Sequence, residues 1–224
     1  MSGPRSDFEL ELRELRGHLL AMGARCERAV NESVTAFARR DRAMAERVFE
    51  LDRRIDRDEM EIDELTIGMI AVRQPVAEDL RFLAATLKFV TDLERIGDEA
   101  VNIAERARDT ASDDKRPQVG EIERMGAIAQ AMLRASLDAF VDGDAASARR
   151  VLAKDDEVDA LYGQTLRALF AWMAEHPESI ASAQAVVSVA RYLERVADHA
   201  TNLAEQVVFM IEGRDVRHGG ARGA

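Results

Sequence analysis

The chain has 224 residues, is 33% charged, carries only 5% aromatics and has a formal net charge of −11. It is long enough to bury a sizeable core in one or two domains, and its Ala, Leu, Glu and Arg content favours long helices over sheets. The acidic balance argues against nucleic acid and against unaided adsorption to anionic lipid, since both need a basic face.

The N-terminal Met1-Ser-Gly-Pro-Arg-Ser-Asp7 has no apolar segment behind its charge and does not read as a signal peptide. From Phe8 onward, apolar residues recur at helical spacing through Leu12, Leu15, Leu19, Met22, Cys26, Val30, Val34 and Phe37. The single cysteine, Cys26, cannot close an internal disulfide and reads as a small helix residue in a reducing compartment. Asp41 suits an N-cap for a second helix whose stripe is Val48, Leu51, Ile55, Ile62, Leu65 and Met69. Pro75 reads as the first residue of a third helix, where a missing N–H costs nothing; that helix runs to about Arg108. Asp109 to Pro117 is polar, contains proline and lacks periodicity, so it reads as a linker.

After the linker the plan repeats. Met125 to Val141 forms one helix, Gly143 ends it, and Asp144 caps a further helix running to about Ala174. His176-Pro177 opens the last helix as Gln74-Pro75 opened the third, and the Gly- and Arg-rich tail 214–224 reads as disordered. Trp172 and the Met residues read as core fillers. The longest apolar run near the end, Val207 to Ile211, is far short of the roughly 20 residues that span a bilayer. The expectation is therefore a soluble, cytoplasmic, all-α protein: two tandem antiparallel three-helix bundles related by internal duplication, over 8–110 and 117–213.

The duplication carries more than a core. Leu93-Glu-Arg-Ile-Gly-Asp-Glu-Ala-Val-Asn-Ile-Ala-Glu105 recurs as Leu193-Glu-Arg-Val-Ala-Asp-His-Ala-Thr-Asn-Leu-Ala-Glu205, and the acids recur with the apolar positions. At 100° per residue, Asp98 lies about 40° and Glu105 about 20° from Glu94, on one stripe of the helix. Glu194, Asp198 and Glu205 repeat it. Acids four apart repel by roughly 0.2–0.5 kcal/mol unless a cation lies between them. The preceding helix of each half carries a second such pair, Asp52 with Asp56 and Asp155 with Asp159. Antiparallel neighbours presenting these pairs could gather four carboxylates, an oxygen-only set suited to Mg²⁺, Mn²⁺ or iron. The competing reading of each pair is a solvated or salt-bridged face, with Arg95 and Arg195 placed to satisfy Asp98 and Asp198. Asn102 and Asn202 read as interhelix hydrogen-bonding residues. Of the histidines, His18, His176 and His218 read as surface or helix-end residues, and His199 has Glu99 as its counterpart, so it is not part of a repeated ligand set. No Glu-x-x-His pair, nucleophile–base set, Gly-rich phosphate loop or Cys cluster occurs.

Arg73-Gln-Pro-Val-Ala-Glu-Asp-Leu-Arg81, Lys88, Asp92-Leu-Glu-Arg-Ile-Gly-Asp98 with Asn102-Ile-Ala-Glu105, and their second-half counterparts resemble the PhoU family of phosphate-uptake regulators over about Phe8 to Gly213. Glu99, where the family often has His, and Ala197, where Gly is usual, are departures. The resemblance implies a non-enzymatic, cytoplasmic, often dimeric protein of two three-helix bundles that negatively regulates the phosphate-starvation response. It implies two partners, the ATPase subunit of the phosphate ABC transporter and a membrane-bound sensor histidine kinase, with the membrane reached only through them. It also implies metal ions (iron, zinc, manganese or magnesium) at Glu94, Asp98, Glu194 and Asp198, joined by Asp52, Asp56, Asp155 and Asp159. The alternatives are a metal-free helical scaffold and a metal-dependent enzyme using the same carboxylates; the latter lacks a general base and imidazole ligands.

Overall fold

A computed structural model describes residues 4–113, 116–117 and 120–214, with side-chain surroundings from Asp7. Seven α-helices follow one another, with no strand among the described residues: α1 (Pro4–Arg39), α2 (Arg42–Arg73), α3 (Ala77–Asp109), α4 (Gly120–Asp142), α5 (Ala145–Leu152), α6 (Asp155–Glu175) and α7 (Ile180–Glu212), the last preceded by a 3-10 turn, Pro177–Ser179. Helices α1 to α3 form one three-helix bundle, and α4, the broken rod α5–α6, and α7 form the other.

Both predicted caps form. Asp41 accepts from the Met44 N–H at 2.9 Å, and Asp144 accepts from the Ala146 and Ser147 N–H groups. Four boundaries differ from the sequence reading, the simplest being that α4 starts at Gly120, five residues before Met125. The helix expected from Asp144 to Ala174 breaks at Ala153-Lys154. Asp155, Asp156 and Glu157 all fall in the first turn of α6, where a helix N-terminus favours negative charge, so the acid run starts a new helix instead of continuing the old one. Pro75 does not begin α3: Gln74 caps α2 in the left-handed region (φ 48°), Val76 is extended, and Ala77 enters α3 at φ 49°. Because α2 runs on to Arg73, Gln74-Pro75-Val76 serves as the connection, and α3 starts two positions later than expected. Likewise His176-Pro177 opens only the 3-10 turn, and Trp172 is half-buried, stacked on His176 at 4.4 Å.

The two bundles share one core. Phe140 of α4 packs on Phe89 of α3 at 4.8 Å between ring centres, and the buried apolar residues of both halves form one continuous cluster. The halves meet along two antiparallel helix pairs, α1 with α4 and α3 with α7. At the first, Gly23 faces Leu137 and its counterpart Gly126 faces Val34. A Cβ on Gly23 would come within 2.5 Å of Leu137 Cδ2, and one on Gly126 within 2.9 Å of Val34 Cγ1, so glycine is what allows these helices to close. The contact is self-complementary about a pseudo-two-fold axis, as in an isologous dimer.

The linker is pinned near its C-terminal end. Arg116 is buried, sits 4.2 Å over the Phe37 ring and donates to the Ala38 carbonyl. Cys26 is buried, its thiol donating to the Leu93 carbonyl at 3.2 Å; burial pushes its pKa well above the usual thiol range. The tail from residue 215 and His218 lie outside the described residues.

Candidate metal centre

Helices α2 and α3 bring Asp52, Asp56, Glu94 and Asp98 onto one seam. Desolvation raises Asp52 to about 6, and the charges of Asp56 and Asp98 push in the same direction. Glu94 is raised to about 7, again by burial first and then by Asp98, with Arg95 opposing and Glu59 and Asp56 adding to the rise. Asp52 and Glu94 thus each feel the charge of acids on the facing helix. Asp52 Oδ1 and Glu94 Oε2 are buried and accept no hydrogen bond. An orphaned buried carboxylate oxygen is costly, and a cation would satisfy it.

Gly97 lets the helices approach here. A Cβ at that position would lie 3.3 Å from Asp52 Oδ1 and 3.2 Å from Ile55. Arg95 supplies positive charge at the seam: Nη1 donates to Asp98 at 3.1 Å, and Nε lies 3.4 Å from Glu94 Oε2, an ion-pair contact without hydrogen-bond alignment. Glu59 and Asp63 of α2 join this seam; burial raises both, and Glu59 is raised further by Asp63, Asp56 and Asp98. Both were missed from the sequence. The spacing of Asp52, Asp56, Glu59 and Asp63, i, i+4, i+7 and i+11, was the available signal.

The second seam repeats the plan with fewer acids. Burial raises Asp155, Glu194 and Asp198, and each is raised further by acids of the facing helix or its own: Asp155 by Asp159, Glu194 by Asp198 and Asp159, Asp198 by Asp155 and Asp159. Asp159 and Asp198 are exposed, and Thr201 donates to Asp155 at 3.4 Å. Ala197 replaces Gly97, and Tyr162 and Leu166 stand where α2 has Glu59 and Asp63.

Arg195 does not pair with Asp198. It reaches across α3 to Glu99 at 2.9 Å, and Glu99 is 2% exposed. Asn102 donates to the other Glu99 oxygen at 3.2 Å. On the same helix pair, His199 Nδ1 and Asn202 Nδ2 both lie against Asp92 Oδ1, at 2.9 and 3.0 Å. The Glu99 departure is therefore met by a cation from the other half. Of the two asparagines, Asn202 makes the interhelix bond and Asn102 stays on its own helix.

The donor set fits a hard cation: it is all oxygen, burial raises Asp52, Glu94, Asp155, Glu194 and Asp198, and buried oxygens of Asp52, Asp63 and Glu94 accept no hydrogen bond. As the side chains stand, no three His, Cys, Asp or Glu residues among those described are disposed to hold one ion. Arg95 instead contacts both Asp98 and Glu94. No helix among the described residues is long and apolar enough to cross a membrane.

Comparison with known proteins agrees with this architecture. The family model described as PhoU domain matches residues 19–107 and again 122–207. The chain is similar to a phosphate-specific transport system accessory protein PhoU homolog of Pseudomonas putida, 42% identical over 96% of this chain and 84% of that one. It is also similar to the protein of that name from Escherichia coli strain K12, 34% identical over 95% and 88%. Among solved structures, PhoU from Pseudomonas aeruginosa superposes with a TM-score of 0.90 at 40% identity, covering 92% of this chain and 99% of that one. The phosphate transport system regulatory protein PhoU from Streptococcus pneumoniae gives 0.87 at 28% identity, over 93% and 99%. Its relatives are named accessory or regulatory proteins, not enzymes, and the chain belongs to the PhoU family.

Proposed function

We propose that this chain is a cytoplasmic, homodimeric, metal-binding regulator of phosphate uptake and a negative regulator of the phosphate-starvation response. In this reading it couples the ATPase subunit of a phosphate ABC transporter to a sensor histidine kinase. The names of its relatives, which place them in phosphate-specific transport, support the uptake role. The metal role is carried by one observation: buried Asp52 and Glu94 oxygens without hydrogen bonds, on a seam where acids of the facing helix raise both residues. Asp52, Asp56, Glu94 and Asp98 would hold one ion or cluster, and Asp155, Asp159, Glu194 and Asp198 the other. The metal, when bound, would supply positive charge that draws α2 to α3 and α6 to α7. Arg95 would then be displaced from Asp98 and free to meet a partner.

The test is elemental analysis of protein purified without chelator, beside Asp98→Asn with Asp198→Asn. Stoichiometric metal that is lost in the double variant, with helicity kept, is the expected result. Protein without bound metal, or a double variant that keeps it, would refute the metal role. Co-purification with the transporter ATPase and the kinase tests the coupling, and recovery of neither would refute it. One observation favours a metal-free scaffold as the second reading: Arg95 already bridges Glu94 and Asp98.

A further inference from the structure

Leu65 falls on the sequence-predicted apolar stripe of α2, yet it is 40% exposed. It stands in the wall of a groove of about 490 Å³ between α1 and α2, beside Val72, with Leu15 and Met69 as the floor. The groove continues into a second hollow of about 470 Å³ that shares Glu14 and Glu61 and extends to Arg25 and Asp58. From Glu11 to Arg25 along α1 the trough is roughly 21 Å long at 1.5 Å per residue.

Two glycines open it. Gly17 and Gly68 lie in the interiors of α1 and α2, where glycine disfavours a helix, and a Cβ on either would meet nothing within 4 Å. Gly23, Gly97 and Gly126 are explained by close packing inside the protein. Gly17 and Gly68 have no such internal reason, and bare backbone on a groove wall suits close approach by another molecule.

The rim is acidic. Glu11 is held by Arg73 through two hydrogen bonds, and Asp58 by Arg25. Glu14 and Glu64 have no ion pair among the described residues, and Glu61 has only His18, 3.8 Å away. A second copy laid on this groove about a two-fold axis would set carboxylates against carboxylates.

We infer that the α1–α2 groove is the docking site for an amphipathic helix of a partner protein, about 14 residues long, whose apolar stripe is flanked by lysine or arginine. The apolar stripe lies on Leu15, Leu65, Met69 and Val72, and the flanking cations meet Glu14, Glu61 and Glu64. This goes beyond the metal reading and does not depend on it, because the acids of the candidate centre face α3 instead of α1.

The probe is a fluorescein-labelled 14-residue peptide with Leu at i, i+3, i+4 and i+7 positions flanked by Lys, titrated with the full chain at physiological salt and read by anisotropy. Gly68→Leu fills the groove without changing charge, has open space, and favours the helix, so it folds; far-UV circular dichroism checks this. Gly68→Leu is expected to weaken binding at least tenfold while metal content stays at wild type. Glu14→Lys with Glu61→Lys is expected to do the same. The equal charge change Glu121→Lys with Glu123→Lys, on the far end of the molecule, is expected to stay within twofold. The inference is overturned by absence of binding to the wild type, by a Gly68→Leu variant that binds as well, or by a distal reversal that weakens binding equally. Dissociation of a dimer to monomer by Gly68→Leu in sedimentation would also overturn it, since the groove would then belong to a second copy.

Discussion

Replacing Arg195 by Met tests whether the two halves are locked by charge as well as by apolar packing. Glu99 is 2% exposed and sits 2.9 Å from Arg195 across the α3–α7 pair; its other contact is the Asn102 amide at 3.2 Å. Removing one member of a buried pair leaves an uncompensated charge, at a cost of about 3–5 kcal/mol. The Arg195 side chain is 46% exposed, so water can partly replace it and the lower end, about 3 kcal/mol, is expected. For a chain of this length that corresponds to roughly 6–12 °C in Tm. The assay is urea unfolding of Arg195→Met, Glu99→Met and the double variant, compared at constant slope. The double variant should recover most of the loss, because neither charge then remains. A single Arg195→Met variant within about 1 kcal/mol of wild type, or a double variant less stable than the single, would refute the reasoning.

Three further outcomes follow from the geometry. Asp52 near 6 and Glu94 near 7 lie above their ordinary values of 3.8 and 4.5, so the folded state takes up protons more readily than the unfolded one. The stability this adds is complete below about pH 4 and lost as pH rises through 6–7; the Tm of chelated protein should climb from pH 8 to pH 5.5, and Asp52→Asn with Glu94→Gln should flatten that climb. A flat wild-type profile would count against the seam. Gly126→Ala presses a methyl on the stiff, β-branched Val34, whereas Gly23→Ala meets the rotatable methyls of Leu137. Overpacking at Gly126 should cost about 1–3 kcal/mol, less up to about 1 kcal/mol of helix propensity, and a lower urea midpoint for Gly23→Ala than for Gly126→Ala would reverse the argument. Gln74 holds φ 48° at the α2 C-cap, so Gln74→Gly should add about 1 kcal/mol, and a lower Tm would refute the strain.

Much of the fold was readable because helix periodicity and capping are local. Asp41 and Asp144 announced helix starts by chemistry that needs no knowledge of the rest of the chain, and both accept the expected backbone N–H groups. The seams were readable because duplication put the same acids at the same helical angle twice. What escaped depends on where helices cross. Arg195 has Asp198 within reach on its own helix, and only the antiparallel α3–α7 crossing offers it Glu99 instead. Leu65 keeps the apolar period of α2 but leaves the core, because Gly17 and Gly68 leave the α1–α2 surface hollow there. The break at Ala153-Lys154 was visible in the acid run Asp155-Asp-Glu157, which favours a helix start more than apolar spacing favours continuity.

The duplicated seams are unequal in charge, and the inequality bears on any cation they hold. The first gathers Asp52, Asp56, Glu59, Asp63, Glu94 and Asp98 around one Arg95, whereas the second gathers Asp155, Asp159, Glu194 and Asp198 with Arg195 turned away to Glu99. In the first seam a cation would have to compete with a guanidinium already hydrogen-bonded to Asp98. In the second it would meet acids that are more exposed and carry no such hydrogen-bonded rival, so water would weaken the attraction instead. Glu99 adjoins Asp98 on α3, and its partner Arg195 lies three residues from Asp198 on α7, so this ion pair stands between the two seams. Glu99→Met should therefore change the second seam first, by freeing Arg195 to reach Asp198, three residues along its own helix, and Arg195→Met should not.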